Sequence, residues 1–504
     1  MEPEEILNTK FDELSSGEKI GTIGELVDLA TDLRDNRFLD RAFLIAEGLD
    51  LDELHINDRL NFYYFIANAW STKSLINIQL KPNSWENVKD ELTKELYHLR
   101  KCISIKEFEN SSPEFQCQVY TNLGNLFHSV GRFVESQEYW NLALKVIPDF
   151  HMALGNKARG LFEYARFLYD GSHRNILVYH SYSSIQKALL GEQVIHQSAY
   201  NVFKDLFFHI HTNWPKDYLD KHYSFNHKLG KDKKLIAYRK WCLINTLYLN
   251  PLNDLAPYNI ACHDILHLPD MTVPAGDPPK YHSLFNQIKQ EYGTARFLFY
   301  EGLQLPKHNY SDKDIVLVDT LDYSEYSFNL EKVKIAYRMI YSLFDKIAYL
   351  LNSYLGVGID KNKSSFRVLW HEPKKDRPLR TIFHESRNEA LRGLYWLSKD
   401  LFNKDEAHNE VIEPEAKELA EIRNFIEHKS FKVTQGNPVS LYDPDDLVYS
   451  IDRKSFEEKT LKQMKLVRSA IIYTSLAINF EEQNKELKPT FPFFLPAMEF
   501  KNKT

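Results

Sequence analysis

The chain has 504 residues, 43% apolar and 13% aromatic, with only 18 Gly, which suits roughly two or three domains of packed helices with a sizeable core. Its formal charge of -7 excludes a protein that coats nucleic acid through bulk electrostatics, so any RNA binding has to be local. The four cysteines, at 102, 117, 242 and 262, lack the paired spacing of a disulfide framework or a zinc site.

The opening MEPEEILNTK is acidic and has no apolar stretch, unlike a signal peptide. The longest apolar-rich run, 470–480, is too short and too interrupted to span a bilayer. A cytoplasmic location with reduced thiols is the expectation. Residues 1–270 read as helical pairs. The clearest pair is 117–148, where Leu123, Gly124, Phe127, Gly131, Phe133, Ser136, Trp140, Ala143 and Pro148 fall at tetratricopeptide positions. Small residues there let two antiparallel helices approach, large ones fill the gap, and Pro ends the unit. The stretches 26–49 and 234–253 are degenerate versions, as expected around one good repeat in a stack. A curved surface for a protein or peptide ligand follows, and nothing in the sequence identifies that ligand.

The run 267–279, HLPDMTVPAGDPP, holds closely spaced helix breakers and marks the approximate domain boundary. Residues 271–326 are a connector that includes a helix over 281–302. A bundle domain follows over 327–485, and an aromatic tail over 486–504 is expected to dock on a surface. The expected fold class is all-α. In the helix 329–355, Val333, Tyr337, Ile340, Phe344, Ile347 and Leu351 alternate spacings of four and three, an apolar seam for bundle packing. Asp345 and Lys346 interrupt it.

Residues 361–384 carry seven Lys or Arg against two acids, with two Pro. Such a run is either a solvated loop or, on an acidic protein, the local attraction for phosphate, with Lys374, Lys375, Arg377 and Arg380 as candidate RNA contacts. Trp370, His371 and His384 lie within it as candidates to stack on or contact bases. Ser386 and Glu389 form a capping box for a helix to about 402, and Ser455 with Glu458 another for the last long helix.

Between these two lies 414–429, PEAKELAEIRNFIEHK. Pro414 suits a first helical turn, Glu413 and Glu415 complement its positive end, and Ala416, Leu419, Ile422 and Ile426 form one apolar stripe. The helix is expected to stop at Lys429–Ser430, before the turn signal of 435–438. Arg423 and His428 sit near its end. Arg offers a permanent cationic fork that matches a phosphate, and His titrates near neutrality, so together they can perform phosphodiester chemistry without a metal. Five residues of ideal helix rotate by about 140°. Convergence therefore requires the Arg to curl, the last turn to distort, or a second chain to complete the site. Similar Arg-to-His spacings at 166–173, 174–180 and 377–384 lie across turns or buried-looking runs, not at the end of an amphipathic helix.

In this context Arg423-Asn424-Phe425-Ile426-Glu427-His428 resembles the Arg-polar-x-x-x-His signature of the HEPN superfamily of helical nucleotide-binding domains, many of which are metal-independent ribonucleases. The resemblance covers about the C-terminal third. It extends to the acid Asp345 in an otherwise apolar first helix, and to the repeats upstream. It implies an endoribonuclease in which the RNA 2′-hydroxyl attacks phosphorus, His428 moves the proton, Arg423 stabilises the phosphate, Asn424 orients one of them and Asp345 supports Arg423. It implies no cofactor and no metal, a homodimer through the C-terminal bundle, and a role in toxin activity or antiviral defence, with the repeats as sensor. The alternative is a repeat-based scaffold whose bundle dimerises or binds nucleotide or RNA without cutting. A rival motif, His263-Asp264-Ile265-Leu266-His267, resembles a zincin helix but has Asp where Glu belongs, and reads as helix-end histidines.

Overall fold

In the computed structural model the residues described are 6–7, 11, 14–80, 85, 89–221, 223, 225–271, 278–304, 309–319, 321–375, 377–402, 416–436 and 448–485. The start of the signature helix at Pro414, residues 272–277 of the breaker run and the aromatic tail lie outside them. The chain is all-α apart from two short strands.

Helices α1 (Ser16–Leu33), α2 (Asn36–Glu47), α3 (Ile56–Leu80), α4 (Lys89–Ser104), α5 (Pro113–Ser129), α6 (Phe133–Val146), α7 (His151–Phe167) and α8 (Gly171–Ala188) pack mainly as neighbours along the chain, followed by α9 (Gln197–Asn213) and α10 (Lys233–Ile244). The α5–α6 pair shows why small residues sit where they do. Trp140 is 1% exposed and wedged between two glycines; a Cβ on Gly124 would stand 2.5 Å from its Nε1, and one on Gly160 of α7 2.3 Å from its ring. The capping follows ordinary chemistry: the Ser15 hydroxyl and Glu18 close a capping box on α1, and Asp170 accepts from Ser172 and His173 on α8.

After α10 come α11 (Lys280–Gly302), α12 (Phe328–Leu355), α13 (Glu389–Phe402), α14 (Ala416–His428), strands β1 (Ser430–Thr434) and β2 (Val448–Asp452), and α15 (Arg453–Asn484). α11 lies along α12, and Gly302 lets the two close: a Cβ there would meet Val333 at 2.6 Å. β1 and β2 pair in parallel, Ser430 opposite Val448 through Thr434 opposite Asp452, and Ser324 bridges Thr434 from the other side.

α14 stops at His428, where the stop is expected, and strand β1 follows it. Three sequence expectations are corrected here. The α13 cap is Asn388, whose Oδ1 accepts from Leu391 N at 3.2 Å, and not Ser386. Asp452, not Ser455, caps α15, accepting from Ser455 N at 3.1 Å. Residues 263–267 form no helix: Asp264 pairs with Arg296 at 2.6 Å and accepts from Leu249 N, so the acid of the zincin-like motif holds the chain in place.

α15 is the central element. Its residues 467–479 are buried on every side, not on one apolar face alone. The polar side chains among them are engaged: Arg468 with Asp254 at 2.6 Å, Tyr473 with Val134 N at 2.9 Å, Ser475 with the His267 carbonyl at 2.7 Å, and Asn479 with the Phe167 carbonyl at 3.0 Å. All four partners lie before residue 270, so the last helix is built into the N-terminal helical region as well as into the bundle. The largest hydrophobic cluster is correspondingly shared, running from Trp85 and Val130 to Ile478. All four cysteines are buried and none is disulfide-bonded. Among the described residues no helix is long and apolar enough to cross a membrane.

A second junction forms where α13 crosses the α5–α6 turn. Gly131, at φ +80°, faces Gly393, and a Cβ on Gly131 would stand 2.0 Å from the Glu389 carbonyl oxygen. Gly131→Ala is therefore expected to destabilise the protein by at least about 2 kcal/mol, since the left-handed backbone alone costs a side-chain-bearing residue about 1–3 kcal/mol. Gly171→Ala, whose Cβ meets nothing within 4 Å, should be neutral. Urea unfolding midpoints compare the two directly.

Candidate functional site

The first half of α14 is anchored and its last turn is presented. Leu419 and Ile422 are 1% and 0% exposed, and the Tyr337 hydroxyl of α12 donates to the Leu419 carbonyl at 2.7 Å. Glu418 accepts from the Tyr449 hydroxyl at 2.6 Å and pairs with Lys459 at 2.8 Å, which ties the helix to β2 and α15. At its last turn Phe425, and just beyond it Phe431, both meet the Tyr449 ring, and Phe431 packs on Phe456. The strands thus form a clamp at the C-terminal end of the helix, holding the backbone that carries Arg423 and His428.

The two heads converge. Arg423 extends one turn toward the C-terminus and its Nη2 lies 3.4 Å from Glu427 Oε2; His428 Nε2 lies 3.7 Å from the same oxygen. A single carboxylate oxygen therefore stands between guanidinium and imidazole, so the curl of the long Arg brings the pair together within one chain. Both contacts exceed ordinary hydrogen-bond length, and the side chains are 35% and 65% exposed. An ion pair of that kind contributes about 0–1 kcal/mol. Charge-assisted, bidentate bonds to a phosphate are stronger and are able to replace it. Asn424, exposed, accepts from Arg423 Nη1 at 3.2 Å, so its amide acts on the guanidinium.

Behind Arg423 stand two side chains of α12. The guanidinium carbon lies 5.6 Å from the centre of the Tyr341 ring. Asp345 accepts from Phe366 N at 3.0 Å. Its carboxyl is pushed above the usual range by lost hydration, against the Phe366 N–H and the Arg423 charge, which both lower it. Asp345 thus faces the Arg423 side of the bundle without a direct ion pair to it among the described residues. Burial pushes the Tyr341 hydroxyl up to about 12, with Asp345 adding to the rise and Arg423 and Arg367 opposing it. Tyr341 and Arg367 belong to this cluster and escaped the sequence reading. Tyr341 is one helical turn before Asp345, which was the available signal.

The basic segment divides. Its second half doubles back, with His371 bridging Leu379, and exposes Lys374, Lys375 and Arg377 at the tip, Arg377 in a left-handed conformation at φ +43°. Arg380 is turned inward: its Nε donates to the Leu369 carbonyl at 3.1 Å and Nη1 lies 3.5 Å from Glu372. Trp370 is 1% exposed and packs among Phe366, Phe383 and Tyr395, so it is core and not a platform for bases. His371 is half-buried against Tyr395, while His384 is exposed.

Residues 272–481 match the family model described as LA2681-like HEPN. The C-terminal part of the chain is thus a HEPN domain, spanning α11 to α15 with the two strands, and the Arg423–His428 pair lies on its last helix before the strands. No curated protein and no solved structure shows a significant match to the chain. Among the described residues no group of three or more His, Cys, Asp or Glu is placed to hold a metal ion.

Proposed function

We propose that the HEPN domain is an RNA endonuclease that cuts through the RNA's own 2′-hydroxyl, with residues 1–270 gating or targeting it. The observation that carries this reading is the meeting of Arg423 and His428 at one loosely held carboxylate oxygen on the surface of a domain whose superfamily is rich in ribonucleases. When RNA binds, the phosphate displaces Glu427 from Arg423. His428 then takes the 2′-hydroxyl proton as the 2′-oxygen bonds to phosphorus and the P–O5′ bond breaks, the leaving 5′-oxygen taking a proton from water. Arg423, steered by Asn424 and backed by Tyr341, stabilises charge growing on the phosphate oxygens. The products are a 2′,3′-cyclic phosphate and a 5′-hydroxyl. DNA, lacking the nucleophile, survives. Cleavage of mixed RNA in EDTA with analysis of product ends tests the reaction, and Mg²⁺ dependence or cutting of DNA would contradict it.

In this reading Lys374, Lys375 and Arg377, exposed at the tip of the basic segment, contact the RNA backbone. Their joint replacement by alanine should weaken binding at every sequence and reduce the slope of log K against log salt by roughly 2, since each phosphate contact on a single strand contributes about 0.7. An unchanged slope would remove them from the interface. A homodimer through the C-terminal bundle is part of the reading and is checked by light scattering at micromolar concentration. A role in toxin activity or antiviral defence, with the N-terminal helices as sensor, belongs to the same reading.

A further inference from the structure

Two features meet at Asp345. One is the Arg423 cluster; the other is an open groove of about 450 Å³ between α11 and α12. Leu284, Ile288 and Tyr349 give the groove its apolar surface, and Gln287, Ser342, Asp345 and Lys346 its polar edge. Ile288 is 2% exposed, whereas Tyr349 at 36% leaves ring surface open to solvent. Lys346 is paired with Glu291 of α11, so the polar edge offers no free cation to a phosphate. Asp345 brings a carboxylate. A carboxylate beside a polyanion must face donors, which RNA presents on its bases and not along its phosphates.

We propose that this groove receives a guanine base of single-stranded RNA whose backbone passes Arg423. Guanine alone presents two adjacent donors, N1–H and the N2 amine, on its Watson–Crick edge, the arrangement that a carboxylate accepts in pairs. The Asp345 oxygen bonded to Phe366 N fixes the carboxylate's orientation, and the Tyr349 ring stacks on the base. Tyr341, which meets Arg423, and Asp345, which lines the groove, are one turn apart on α12 and join the two subsites. The inference rests on the RNA endonuclease reading and adds a sequence preference to it.

The test uses the full chain and fluorescent 2′-O-methyl oligonucleotides, which lack the attacking hydroxyl and cannot be cut. An oligonucleotide with central guanines should bind about tenfold or more tightly than the same one with inosine, which lacks the N2 amine, or with uracil. Tyr349→Ala should weaken the guanine oligonucleotide by about tenfold, with circular dichroism unchanged, and Gln287→Ala provides a second exposed variant at the same edge. Sequencing of cleavage ends should then show guanine at a fixed distance from the cut, a pattern lost in Tyr349→Ala. Equal binding of all three oligonucleotides, or wild-type binding by Tyr349→Ala, overturns the groove assignment even when cyclic-phosphate cleavage persists. A change of oligomeric state in Tyr349→Ala with no change in base preference overturns it as well, and assigns the groove to a second copy. Failure of the nuclease reading appears separately, as RNA that is left uncut or cut to other ends.

Discussion

His428→Ala is expected to lower RNA cleavage by about 10²–10⁴-fold, the range over which a positioned general base or acid contributes. The fold should not change. The His428 side chain is 65% exposed and its recorded contact is the 3.7 Å approach to Glu427, while α14 is held by Leu419, Ile422 and the Tyr337 hydroxyl further back. Arg423→Lys should also fall sharply, because an ammonium keeps the charge but not the planar fork that meets two phosphate oxygens. Both variants should retain RNA binding through the exposed basic tip. Equal cleavage by wild type and His428→Ala would remove the imidazole from the chemistry. Intact partner binding with no cutting by either protein, and no phenotype on loss of the pair, would favour a scaffold whose Arg423–Glu427 contact is only a surface ion pair one helical turn apart.

The helices of the HEPN domain were legible because their apolar spacing is strong: Val333, Tyr337, Ile340, Phe344, Ile347 and Leu351 are all buried. The caps were less so. Ser386 and Asn388 are both good cap residues two positions apart, and the Ser386 hydroxyl instead accepts from Asn388 N at 3.1 Å, inside the turn that leads to the real cap. The strands were missed because a five-residue parallel pair depends on a partner far along the chain. Alternation in Ser430-Phe431-Lys432-Val433-Thr434 was present but followed a helix without a break. Trp370 was misassigned for a related reason, since charge in its surrounding segment says nothing of the aromatic layer that closes over it. At the candidate site the sequence offered the Arg, the Asn, the His and the acid. An Arg423–Glu427 ion pair follows from the i,i+4 spacing alone. Tyr341 behind the guanidinium was hidden because it depends on how α12 and α14 lie against each other.

Asp400→Asn is expected to destabilise the chain by about 3–5 kcal/mol at neutral pH, the usual cost of removing one member of a buried ion pair. Asp400 on α13 is 1% exposed; it receives both terminal nitrogens of Arg100 from α4 at 2.8 Å, and Arg132, just before α6, adds a third short contact. Arg132 also pairs with Glu135 at 2.8 Å, and Glu135 accepts from the Tyr473 hydroxyl of α15. The two guanidiniums outweigh burial and hold the Asp400 carboxyl well below the usual carboxylate range. A carboxyl depressed on folding contributes stability that is present above its unfolded value of about 3.9 and is lost as pH falls through the folded value. The gap between wild type and variant should therefore be full at pH 7 and shrink progressively below about pH 4. Urea unfolding at pH 7 and pH 3 measures both points, and a variant within about 0.5 kcal/mol of wild type at pH 7, the scale of an ordinary surface change, would defeat the argument. Replacing Arg100 and Asp400 together by apolar residues, which leaves Arg132 paired with Glu135, should recover much of the loss, since it is the stranded charge and not the missing bond that dominates. This network joins N-terminal helices to α13 and α15 of the HEPN domain, so, if residues 1–270 gate the proposed nuclease, Asp400→Asn is also the variant in which that gating should be weakened.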